Sequence, residues 1–97
     1  MVQTVFSVTI PAGRKRCILE KPLVLRRIFF GIRALAPQTS WYGSWISFGD
    51  PSFRSYYVVD GPAKYFEARG EGIFQGDVWV LNKSDVNLLY TVTEILL

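Results

Sequence analysis

The 97-residue chain contains no histidine and one cysteine, Cys17. A Ser-His-Asp triad, a Cys-His dyad, a His-ligated metal centre and an intramolecular disulfide are therefore all excluded by composition. Paired carboxylates can run acid–base chemistry without histidine. Asp50, Asp60 and Asp77 each sit beside a glycine, however, in turn-like clusters where an aspartate bonds the local backbone. Glu67 and Glu71 lie near one another, but nothing sets an acid and a base across a cleft. The closely spaced oxygen ligands of a calcium loop are missing. Gly70-Glu71-Gly72 with Gly76 does not match the GxxxxGK[ST] of a phosphate-binding loop and reads as a bend before a strand. Cys17, near Arg14 and Arg16, has neighbours that would lower a thiol pKa. Without a base or a second thiol it reads as a small core residue. The expectation is a chain with no catalytic residues, no metal and no cofactor.

The aromatic residues are more informative. Trp41, Tyr42 and Trp45 fall within five positions, and Tyr56 and Tyr57 are adjacent. Neighbouring residues on a strand point to opposite faces, so at least one of these tyrosines is expected to face outward or toward a subunit contact. Tyr and Trp supply rigid, amphipathic contact area. Three uses stay open for the cluster: anchoring a long loop to the core, making a protein contact, and stacking on a sugar.

The net charge of +3 hides an asymmetry. Residues 1–33 carry +6, from Arg14, Lys15, Arg16, Lys21, Arg26, Arg27 and Arg33 against Glu20, and residues 34–97 carry −3. Such a chain either presents a basic face to a partner or neutralises itself across one sheet. Arg14, Lys15, Arg16, Arg26 and Arg27 are the candidate basic contacts. Bases interleaved with aromatics also suit a small single-strand nucleic-acid binder. Too many short strands and a small net charge count against it.

These residues are positioned by elements of period two. Val2–Ile10 places Phe6, Val8 and Ile10 on one face, and Pro11-Ala12-Gly13 ends it. A short strand over Arg16–Glu20 follows. Leu23–Leu35 is rich in β-branched and aromatic residues and reads as a long strand with Val24, Arg26, Ile28, Phe30 and Ile32 on one face. A helix is the alternative there, and Gly31 suggests a bulge or a close backbone approach. After a loop over Ala36–Gly43, strands are expected at Ser44–Phe48, Arg54–Val59, Ala63–Ala68, Val78–Leu81 and Leu88–Leu96, with 69–72 as a break. Seven or eight strands punctuated by turns predict one all-β domain over 1–97, an antiparallel β-sandwich of jelly-roll type. The opening MVQTVFSVTI lacks the basic start of a signal peptide, and Arg26, Arg27 and Arg33 interrupt the most apolar stretch. Neither a signal peptide nor a membrane span is expected, and a lone cysteine fits a reducing compartment.

Gly76-Asp77-Val78-Trp79-Val80, the turn from Asn82 to Ser84, and the terminal run from Tyr90 to Leu96 together resemble the small jelly-roll virion proteins of tailed bacteriophages. The likeness covers the last third of the chain closely and the rest in layout. It implies a capsid decoration or cement protein on the virion surface, made in the host cytoplasm. The implied partners are the major capsid protein or other virion subunits and copies of itself, with a trimer favoured. No catalytic residues belong to the pattern. A carbohydrate- or receptor-binding module using Trp41, Tyr42 and Trp45 is the main alternative, and a single-stranded nucleic-acid binder is the second.

Overall fold

The computed structural model describes residues 2–20, 25–37, 43–59 and 67–97. Eight strands run in chain order: β1 (Val2–Ile10), β2 (Lys15–Leu19), β3 (Arg26–Ala34), β4 (Ser44–Phe48), β5 (Tyr57–Val59), β6 (Glu67–Phe74), β7 (Val78–Asn82) and β8 (Leu88–Leu96). They form two four-stranded antiparallel sheets, ordered β1-β8-β3-β6 and β2-β7-β4-β5. The chain passes from one sheet to the other at every connection except β4–β5, which is the jelly-roll order. No helix occurs among the described residues.

The core is set by alternation. In β3, Ile28, Phe30, Ile32 and Ala34 point inward, and in β8 Leu88, Tyr90 and Val92 do the same. They meet Val78, Val80 and Ile46 from the second sheet. Each of the larger aliphatic and phenylalanine side chains contributes about 1.5–3 kcal/mol by leaving water. Tyr90 Oη bonds Ser44 Oγ at 2.5 Å, a buried hydrogen bond that bridges the two sheets. Burial pushes the Tyr90 pKa up to about 12, partly opposed by the Ser44 bond. Asn82 is fully buried and saturated. Its amide donates to the Ile10 and Val86 carbonyls, while its carbonyl oxygen accepts from the Ser84 amide and hydroxyl.

Several elements differ from expectation. β3 is a strand, not a helix; it starts at Arg26, and residues 23 and 24 lie outside the described set. Gly31 is neither a bulge nor a close approach. The β3 registers with β6 and β8 run without a break, and a Cβ there would meet Thr91 Cβ at an ordinary 3.8 Å. The irregular register belongs to β2, between Cys17 and Leu19. The strand expected over 54–59 is reduced to Tyr57–Val59, because Asp50 folds the preceding residues into a loop. Its carboxylate accepts from the Ser52 hydroxyl and from the amides of Ser52, Arg54 and Ser55. The break expected at 69–72 is instead the middle of β6, which runs from Glu67 to Phe74. Of the strand expected over 63–68, residues 63–66 lie outside the described set.

Candidate interaction surface

The outer face of β4 carries Trp45 and Ser47, two residues apart. Ser47 is buried although it points away from the core, because the 50–55 loop lies over it and its hydroxyl donates to the Ser55 carbonyl at 2.9 Å. Phe53, at φ 55, is a buried residue of the same loop. Trp45, half-buried, stacks on Tyr56 with ring centroids 4.0 Å apart and planes 8° from parallel. The Lys83 ammonium lies 4.8 Å over the same indole. Tyr56 and Lys83 thus both engage the Trp45 indole, one by stacking and one by a cation–π contact.

Tyr57 turns the other way. It stands opposite Ile46 and meets Phe48 edge-on at 5.7 Å. Tyr56, Tyr57 and Val58 are 41%, 66% and 51% exposed, and Ile73 on the facing β6 edge is 54% exposed. Tyr57, Val58 and Ile73 line one open cavity with Phe48, Phe74 and Gly72. Tyrosines and aliphatics thus gather at the β5 edge of the sandwich. Trp41 and Tyr42 lie outside the described residues.

The five candidate bases do not form one patch. Arg14, Lys15 and Arg16 are exposed at the start of β2, where the Lys15 ammonium donates to the Pro51 carbonyl at 2.8 Å. Arg27 lies on the outer face of the other sheet, opposite Ile73 and Ile95. Arg26 is corrected outright: it is fully buried and cannot be a surface contact. Its Nε lies 2.8 Å from Glu94 Oε2, and its Nη2 donates to the Gly76 carbonyl at 2.6 Å. Desolvation pulls the guanidinium pKa below its ordinary value, and Glu94 pulls it back. The signal for this was present in the sequence, since Arg26 shares the inward parity of Ile28, Phe30 and Ile32. Neutralisation between the two halves of the chain is partial. Arg26 pairs with Glu94 and Arg33 stands opposite Glu67, whereas Lys15 and Arg16 stand opposite Leu81 and Val80.

Cys17 is half-buried, and its thiol donates to the Leu19 carbonyl at 3.3 Å. Burial raises its pKa, helped by Asp77 and Glu20, so the nearby bases do not activate it.

No family model and no curated protein matches the chain. Solved structures do match in fold. A chain from Bacillus endospore appendages, described as a novel family of disulfide-linked pili, superposes with a TM-score of 0.56 at 13% identity, covering 99% of this chain and 88% of that one. A de novo designed double-stranded β-helix superposes at 0.53 and 14% identity, covering 94% and 97%. A mitogen from Yersinia pseudotuberculosis gives 0.44 at 11% identity, covering 99% and 86%. At these identities the first two support the all-β architecture and nothing finer.

Proposed function

We propose that this chain is a non-catalytic structural subunit of a virion, most specifically a decoration or cement protein that binds major capsid subunits and copies of itself. The observation that carries this reading is the exposed pair Tyr57-Val58 beside Ile73, gathered around one open cavity at the β5 edge of the jelly roll. Contiguous exposed apolar and aromatic area of this kind serves a binding partner. The fold suits a repeated part, since a modest contact per copy sums over a shell. One neighbour in fold comes from disulfide-linked pili. These 97 residues hold one cysteine, which could tie two copies together and no more, and its thiol is raised in pKa. The proposed contacts are therefore non-covalent.

The test is co-sedimentation of the purified protein with phage heads that lack it. Saturable binding is expected, reduced in Tyr57→Ala and in Val58→Asp. No binding to heads, or glycan-array binding that Tyr57→Ala abolishes, overturns the reading.

A further inference from the structure

The four sheet edges are not alike. β2 carries Lys15, Arg16 and a register irregularity. β5 is three residues long. β6 carries Glu67, Arg69, Glu71 and two glycines. Charge, shortness, irregularity and glycine all discourage an edge from accepting another strand. β1 has none of them. It is nine residues long, VQTVFSVTI, in unbroken register with β8, and has no charge, proline or glycine. Among the described residues only its Ile10 carbonyl is held from outside that strand pair, by Asn82.

We propose that β1 is a homotypic docking edge. It pairs antiparallel with β1 of a second copy, joining two sandwiches into one continuous eight-stranded sheet about a two-fold axis. The distribution of charge on the sheet selects a second copy as the occupant. On the outer face, β1 presents Gln3, Val5, Ser7 and Thr9, and β8 beside it presents Leu89, Thr91, Thr93 and Ile95. None is charged. Charges begin only at β3 and β6, with Arg27, Arg33, Glu67, Arg69 and Glu71. In a two-fold pair a strand meets its own sequence, so any charge at the seam risks facing its like. The uncharged half of the sheet is the half that ends in β1.

Register follows from the pleat. Directly opposed residues share a face, so both cores stay on one side only if the axis passes through a residue. An axis at Phe6 overlaps all nine positions. It sets Val5 opposite the second copy's Ser7 and Thr4 opposite its Val8. Val5, 58% exposed, is then covered, and the half-buried Phe6 and Val8 gain apolar neighbours. The two copies of Ile10 stand roughly 27 Å apart along the seam. The basic clusters at Arg14–Arg16 that follow them are thereby kept beyond a Debye length of about 8 Å. This pairing is two-fold, unlike the trimer implied by the likeness to virion proteins, and it does not depend on the virion role.

Sedimentation equilibrium of the purified chain tests it. The expected result is a concentration-dependent dimer whose dissociation constant rises about tenfold or more in Val5→Lys, which brings two ammonium groups together at the seam. Leu35→Lys, also exposed at 46% but just beyond β3 and off the seam, is expected to leave the constant unchanged. Hydrogen exchange on the unmodified protein gives a readout that needs no variant: β1 amides become more protected as concentration rises. Ser7→Lys replaces Val5→Lys if the latter fails to fold. A chain that stays monomeric at millimolar concentration overturns the proposal. So does a dimer indifferent to both β1 lysines, or one without protection in β1.

Discussion

Arg26 and Glu94 form a strongly asymmetric pair. The guanidinium is fully buried, whereas the Glu94 side chain keeps 20% of its surface in water. Arg26 Nη1 has no hydrogen-bond partner among the described residues. Removing the carboxylate strands a cation in the core, whereas removing the guanidinium leaves an acid that can still be hydrated. Glu94→Gln is therefore expected to cost about 3 kcal/mol, and the double change Arg26→Met with Glu94→Leu far less. Urea unfolding of the three proteins measures both. Asp50 behaves differently because it lies in a surface loop, only partly covered. Donation from the Ser52 hydroxyl, followed by the amides of Ser52, Arg54 and Ser55, lowers its pKa from 3.8 to about 2. A lowered carboxylate pKa stabilises the fold above the unfolded value and loses that contribution as pH falls through the folded one. The loop over Ser47 is thus expected to loosen between pH 3.8 and about 2, seen as chemical-shift changes at Ser52, Arg54 and Ser55. Asp50→Asn should show the loosened loop at neutral pH.

Among the elements, the β7–β8 connection depends on one side chain. Asn82 ties the end of β1 to the turn before β8 through Ile10, Ser84 and Val86. Asn82→Ala takes away the side-chain partner of the Ile10 carbonyl and of the Ser84 amide, leaving Ser84 and Val86 only their bond to each other. It is expected to cost about 3 kcal/mol, read from a shifted denaturation midpoint with an unchanged slope. The sequence marks Asn82 to Ser84 as a turn but gives no sign that the asparagine is buried, because asparagine occurs in turns for local reasons too. β3 was legible because Ile28, Phe30 and Ile32 alternate against a half-exposed face. β6 was not: as an edge strand with glycines at 70 and 72, it shows little hydrophobic period to read. Arg54–Val59 misled in the opposite sense. Its tyrosines and valines are β-prone, yet Asp50 captures the first part of the segment into a loop. Of the candidate contact residues, adjacency implied that at least one of Tyr56 and Tyr57 faces outward; both are exposed because Tyr56 precedes β5 and β5 is an edge strand. The stack of Tyr56 on Trp45 required knowing that the loop returns over β4.

For the molecule as a whole, the order of strands sets the pace of folding. β8 lies between β1 and β3 and pairs residue 2 with residue 96 and residue 10 with residue 88. The first sheet cannot close until both ends of the described chain have met, so loop closure must precede most of its stabilisation. Refolding is expected in milliseconds to seconds, with Val92→Ala, at the β1–β8–β3 junction, slowing it more than Val80→Ala. Stopped-flow fluorescence of the tryptophans follows the reaction.

The same pairing has a mechanical consequence. Val2 and Leu96 are partners on the end rung of the β1–β8 ladder. A pull applied through these two residues loads one rung at a time and opens the strands like a zip, whereas a pull through Val2 and Leu88, at opposite ends of the ladder, loads every rung together in shear. Under tension the sandwich is weak when held through Val2 and Leu96 and strong when held through Val2 and Leu88. Any force this protein carries is best carried along the β1–β8 ladder, from one end to the other.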